Sequence, residues 1–228
     1  MRNSIQVKNP TAVETLKRAP GRPKDDSLAA RRQEEILEVA TKTFAADGYQ
    51  NADLQEVADE LGVAKGTLYR YFPSKRDLFL ACVDHGRSRL QSQVESSVMH
   101  AEDPLKRIAA AIRAFFSFFD AHPELVELII QERAEFRDRN KHTYFFQCDK
   151  DEDDPWEQLI AEQIRVRRMR SVPVKRITDV LSNLVYGTIF SNYFTGRHES
   201  LEAQTDDILD VVFNGILMDQ NGDPINGS

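Results

Sequence analysis

Apolar side chains recur along this chain at intervals of three and four, and Gly or Pro interrupts the recurrence at intervals. Ile36, Val39, Ala40, Thr43 and Phe44 form one such stripe with Gly48 as its stop, so the spacing predicts a helix that begins near Ser27. Asp53, followed three residues on by Glu56, has the form of a capping box, and Leu54, Val57, Ala58 and Leu61 supply the buried face of a second helix closed by Gly62. A short third helix is expected over 65–72, with Pro73 ending it. Ser74 with Asp77 caps a fourth, which carries Leu78, Phe79, Cys82, Val83 and Leu90 towards Met99. The same periodicity predicts helices over 104–121, 124–139, 156–169, 174–194 and 201–218. No segment alternates apolar and polar residues between hairpin dipeptides, so the expected fold class is all-α.

Composition narrows the function. The 228 residues are 41% hydrophobic, enough to fill a core, and the longest apolar cluster is broken by Arg113 and Ser117, so no membrane span is expected. Two cysteines, Cys82 and Cys148, are too few for a disulfide framework and form no metal-ligand or redox doublet. They read as reduced thiols of a cytoplasmic protein, and neither a metal nor a cofactor is expected. The net charge of −7 argues against nucleic acid until it is divided: residues 1–24 carry +5, residues 1–90 carry +2, and the remainder carries −9.

Residues 1–26, with Pro10, Pro20, Gly21 and Pro23 among scattered basic residues, read as a flexible basic arm and lack the apolar stretch of a signal peptide. Residues 27–73 read as one small helical domain and 74–219 as a larger one. Asn221-Gly222 and Asn226-Gly227 mark 220–228 as a disordered tail. Residues 140–155, acidic beside Tyr144, Phe145 and Phe146, are either a long loop or a helix with an acidic tail.

The stretch 54–72, LQEVADELGVAKGTLYRYF, has the form of a helix-turn-helix: a small residue (Ala58) where the helices cross, Gly62 at the corner, and Val63 and Leu68 pinning the second helix. The other face of that helix presents Lys65, Gly66, Thr67, Tyr69, Arg70 and Tyr71, with Lys75 and Arg76 just beyond. Cations and hydroxyls suit phosphate contact and major-groove reading, and Gly66 has no side chain to hold DNA away. The order and spacing of Phe44, Gly48-Tyr49, Val57-Ala58, Gly62-Val63, Gly66-Thr67-Leu68-Tyr69, Tyr71-Phe72, Ser74-Lys75 and Leu78-Phe79 resemble the TetR family of bacterial transcriptional regulators. The resemblance implies a three-helix DNA-binding headpiece, a linking fourth helix, and a larger helical domain that binds ligand and dimerises. It places Lys65, Gly66 and Thr67 at the opening of the recognition helix, Tyr69 and Tyr71 on phosphates or bases, Lys75 on a phosphate, and Arg70 at a variable reading position. This chain departs from the family at the entry to the second helix, where Ala52 and Asp53 stand in place of the usual Thr or Ser, and a carboxylate there repels phosphate. In the arm, Gly21-Arg22-Pro23 resembles the core of an AT-hook, whose arginine enters the minor groove; the rival reading is a passive linker.

Rings collect beyond the headpiece. Phe115, Phe119, Phe136, Trp156, Tyr186 and Phe190 suit an apolar effector pocket of the kind the resemblance implies, or simply a core. Ile177, Leu181 and Leu184, with Ile208, Val212 and Ile216, form two late apolar stripes that suit a four-helix dimer interface, a buried monomer core being the alternative. The expected partners are double-stranded DNA, a small-molecule effector and a second copy of the chain, with no membrane. The reading is a ligand-responsive regulator, a repressor on a palindromic operator. Its rivals are an architectural DNA-binding protein without effector and a helical enzyme. No nucleophile, base and orienting residue share a recognisable spacing, which disfavours catalysis.

Overall fold

The computed structural model describes residues 26–136, 154–196 and 200–214, and all its regular elements there are helices. In chain order they are α1 (Asp26–Asn51), α2 (Leu54–Glu60), α3 (Lys65–Tyr71), α4 (Lys75–Val98), α5 (Pro104–Ala121), α6 (Glu124–Glu135), α7 (Pro155–Arg165), α8 (Val174–Thr195) and α9 (Leu201–Asn214). The all-α expectation holds. Residues 1–25 of the arm, residues 140–153 with Cys148, Ile216 and the tail lie outside the described residues, and Asp26, expected in the arm, opens α1.

Caps explain most helix starts. Asp103 and Asp154 each accept a backbone N–H two residues on, at 2.8 Å, with proline in the first turn of α5 and α7. Asp120, at the end of α5, accepts the amides of Leu201 and Glu202 at 2.9 Å and so fixes the start of α9 against α5. The ends are less regular. α1 is interrupted at Gly48 (φ 80°, ψ 155°) where the pattern stops, yet one more helical turn follows to Asn51. Two expected helices end early. α6 stops at Glu135, with Phe136 leaving helical geometry, rather than near 139; α7 stops at Arg165 rather than 169 because Arg167 takes φ 59°. The amides of Arg168 and Met169 then fold back onto the Gln163 carbonyl.

A single apolar cluster runs from Ile36 in α1 to Leu209 in α9, with Phe44, Phe79, Phe116 and Phe118 almost wholly buried. α1 packs on α4 and also on α6, so the first helix of the headpiece is shared with the body. α5 lies between α4 and α9, and α8 bridges α7, α5 and α6. The approach of α6 to α4 depends on Gly86: a Cβ there would lie 2.6 Å from Leu125 Cδ2, inside van der Waals contact.

Gly86 generates a graded prediction. Alanine should change stability by no more than about 1 kcal/mol, because the Leu125 methyls can turn and the helix gains propensity. Valine should destabilise by about 1–3 kcal/mol through overpacking. Urea unfolding of the two variants checks the order, and equal midpoints would show that α4 and α6 are not in close contact.

Candidate nucleic-acid interface

The helix-turn-helix is assembled from local hydrogen bonds. Asp53 takes an extended backbone and its carboxylate accepts the Gln55 amide at 2.8 Å, which starts α2. Glu56 does not complete a reciprocal capping box among the contacts seen; its amide bonds the Asp53 carbonyl at 3.0 Å. At the corner Gly62 takes φ 65°, a left-handed conformation that suits glycine, and the Val63 amide closes onto the Ala58 carbonyl at 2.9 Å. Ala58 is fully buried, and its single methyl lets α3 cross closely over α2. α3 follows with Leu68 turned into the core, and Phe72 buries its ring just beyond the helix end. Ser74 then accepts the Asp77 amide at 3.1 Å and donates its hydroxyl to the Asp77 carboxylate at 2.7 Å, which opens α4.

With Leu68 inward, the opposite face of α3 is outward. Gly66, Tyr69 and Arg70 are exposed, Tyr69 to 43%, while Lys65, Thr67, Tyr71 and Lys75 are half-buried around them. Tyr71 leans part of its ring on the core. Lys75 is held from two sides: its ammonium donates to the Gln50 carbonyl at 3.0 Å and sits 5.4 Å from the centre of the Tyr49 ring. Burial pushes the Lys75 pKa down from the usual ammonium value, with the Lys65 charge acting the same way and Asp53 against it. Lys65 donates to Asp53 Oδ1 at 2.8 Å, and this hydrogen bond holds the Asp53 carboxyl below the usual carboxylate range and the Lys65 ammonium above its own. Of the seven expected contact residues from Lys65 to Lys75, three are exposed and four are half-buried. Arg22 lies outside the described residues.

The same end of the molecule holds a ring cluster. Phe44, Tyr49 and Phe79 meet edge-on or stacked at 5.1–6.1 Å, and Phe136 from the end of α6 packs on Tyr49 at 5.1 Å and on Phe79 at 5.6 Å. Arg76 lies 5.3 Å from the Phe136 ring. Beside the cluster, the Gln131 amide donates to the Phe44 carbonyl at 2.9 Å, across from α6 to α1. Phe136, expected in the pocket, packs here on rings of α1 and α4. Of the other pocket residues, Phe115, Phe119 and Tyr186 do meet, at 5.1 and 5.2 Å, with Phe190 one turn along α8 and Trp156 on α7, both packed against the core.

Of the late stripes, Ile177, Leu181, Leu184, Ile208 and Val212 are all half-buried, and Ile177, Leu181 and Ile208 pack against the chain's own core. The apolar side chains left exposed on α8 and α9 are Val180, Tyr193, Phe194, Val211 and Phe213. Sequence reasoning missed one further feature, an open cleft of about 360 Å³ lined by His85, Ser88, Arg89, Ser92, Gln93 and Phe118. Arg89 at its rim lies 3.0 Å from the ring of His122, which in turn faces Glu124 at 3.2 Å. Its signal was present as polar residues at helical spacing along α4.

Fold and surface together define a helix-turn-helix protein whose recognition helix is carried on an all-helical body. Residues 36–82 match the family model described as bacterial regulatory proteins, tetR family. It is similar to the transcriptional activator FasR of Mycolicibacterium smegmatis, 34% identical over 100 residues, or 44% of this chain and 46% of FasR. It is also similar to the nucleoid occlusion factor SlmA of Vibrio vulnificus, 25% identical over 150 residues, or 65% of this chain and 76% of SlmA. The alignment thus spans less than half the length of FasR. In fold it is similar to the regulator FadR from Bacillus subtilis, solved in complex with stearoyl-CoA, with TM-score 0.69 and 18% identity over 81% of this chain and 99% of FadR.

The division of α3 into two faces has a measurable consequence. Leu68→Ala should lower stability by about 2–5 kcal/mol, as for a leucine lost from a packed core. Arg70→Ala should leave it within about 0.5 kcal/mol, as for an exposed side chain. Chemical denaturation of both variants checks the assignment; a reversal would mean that α3 is rotated.

Proposed function

We propose that this chain is a DNA-binding transcriptional regulator that acts as a homodimeric repressor in the cytoplasm and is released by an apolar or aromatic small molecule. The observation that carries the reading is the α3 surface: exposed Gly66, Tyr69 and Arg70, braced from beneath by Leu68 and flanked by the ammonium groups of Lys65 and Lys75. Lysines and tyrosine hydroxyls would hold backbone phosphates and set the register, and Arg70 would read a guanine edge with two hydrogen bonds. In this reading residues 1–26 are an arm that adds phosphate or minor-groove contacts through Arg22. Residues 27–73 are the DNA-binding unit, 74–219 bind effector and partner, and 220–228 are a tail.

The dimer contact is drawn along the outward faces of α8 and α9, with Leu184 and Val212 at its edges. Val180 and Phe194 are 58% and 69% exposed, and an added Cβ at Gly187 would meet nothing within 4 Å, leaving room for close approach of a second helix. Two-fold symmetry would set the recognition helices about 34–36 Å apart, or a multiple of it, and require a palindromic site. The effector site is drawn at Phe115, Phe119, Tyr186, Phe190 and Trp156. The FadR fold accommodates stearoyl-CoA, which supports a large apolar ligand in this architecture. Effector would release DNA only to the extent that it binds the released conformer more tightly.

Selection of duplexes from a random DNA library should yield a palindrome, and a compound screen should then find molecules that release it. On that duplex Tyr69→Ala and Lys75→Ala should each weaken binding by about tenfold, with the oligomeric state by light scattering unchanged. Deleting residues 1–24 should flatten the plot of log affinity against log salt by about one unit per lost phosphate contact. Unchanged affinity in the point variants, measured by gel shift, would remove the assigned contacts. A second reading, an architectural DNA-binding protein without effector, is favoured by the similarity to a nucleoid occlusion factor. Sequence-independent affinity with no response to any compound would select it.

A further inference from the structure

Three charges meet at the edge of the candidate interface, and one has the wrong sign for it. Asp53 accepts from Lys65 at 2.8 Å, and its negative charge acts to raise the pKa of Lys75 against the larger effect of burial. We propose that Asp53 is an electrostatic gate on DNA affinity: its carboxylate takes the place of a backbone phosphate on Lys65 when DNA is absent, and Lys65 must leave it to engage one. The inference rests on the DNA-binding reading above and names a residue that tunes it.

The geometry makes the competition unequal. Asp53 is tied down, because the same oxygen that receives Lys65 also accepts the Gln55 amide at 2.8 Å and caps α2. Lys65 is the movable partner, an ammonium on a flexible four-carbon stem, and both side chains reach solvent, 39% exposed for Lys65 and 56% for Asp53. An exposed ion pair of this kind is weak and screened by salt, so it opens readily. When it opens, the carboxylate stays behind as a fixed negative charge beside the incoming phosphate. Lys75 cannot offset it by swinging across without giving up the Gln50 carbonyl and the Tyr49 ring. The two lysines and the carboxylate therefore present one net positive charge to DNA where the lysines alone would present two. The effect falls on the backbone and not on the bases, so it applies alike to every DNA sequence.

Asp53→Asn removes the charge and keeps an equally good helix cap. In the full-length protein, anisotropy titrations with a labelled duplex of random sequence and with the selected duplex should show binding tightened by about three- to tenfold per headpiece at low salt. The log–log salt slope should steepen by about 0.9 per headpiece, the signature of one more phosphate engaged. In a Lys65→Gln background the same Asp53→Asn change should give a smaller gain in affinity and slope, because only the carboxylate's own repulsion of phosphate is then removed. Circular dichroism confirms the fold, and Asp53→Ser, another capping residue, replaces the asparagine variant if that one does not fold. If wild type binds DNA and Asp53→Asn matches it in affinity and slope, Asp53 is only a cap and the gate is overturned while the DNA-binding reading stands. A gain confined to one sequence, or one undiminished by Lys65→Gln, also overturns it. If neither protein binds any duplex, both readings fall.

Discussion

The contact on which the rest of the arrangement depends is the seam between α1 and α6. There the Gln131 amide reaches the Phe44 carbonyl, and the Phe136 ring is seated among Tyr49 and Phe79. Rings of this size dominate the burial at any junction they join. A directed hydrogen bond to a backbone carbonyl then fixes the register of one helix on the other. Because α1 also packs on α4, this seam sets where the N-terminus of α4 stands, and with it Lys75. The first helices are thus an extension of the core that follows, and a rearrangement of α6 has a short packed route to the candidate interface.

What could be read from the sequence was what is local. The helix-turn-helix depends on contacts a few residues apart, such as the Val63 amide on the Ala58 carbonyl, so residue order and spacing carry it in full. Helix starts were legible for the same reason, since Asp53, Ser74, Asp103 and Asp154 each act within a turn of themselves. Distant partnerships were not legible. Nothing in the spacing links Lys75 to the Gln50 carbonyl, or Phe136 to Tyr49, and an aromatic residue late in the chain looked the same whether bound for a pocket or for a joint. A stripe of period 3.6 likewise says that one face is covered without saying by what. Ile177, Leu181 and Ile208 turn to their own core, and the face outside them stays open. The early end of α7 rests on Arg167 at positive φ, which no propensity would have favoured.

Charge is distributed with similar economy. Under the proposed function, the net −9 of residues 91–228 would keep nucleic acid from most of the surface and leave attraction to the more basic N-terminal part. Even there the balance is close, since one carboxylate stands among the lysines. A surface poised in this way leaves base recognition a larger share of the total binding, because indiscriminate attraction to phosphate is kept small.

The chain has a single tryptophan, and its place gives the molecule an internal optical marker. Trp156 stands in the first turn of α7, half-buried, its amide held by Asp154, on a helix that packs against α8. Tyr49, Tyr69 and Tyr71 belong to the other end. Emission excited in the indole band therefore originates in the body alone, whereas the tyrosine signal includes the helix-turn-helix. Movement around α7 can therefore be followed in the unmodified protein, without a label on the candidate interface.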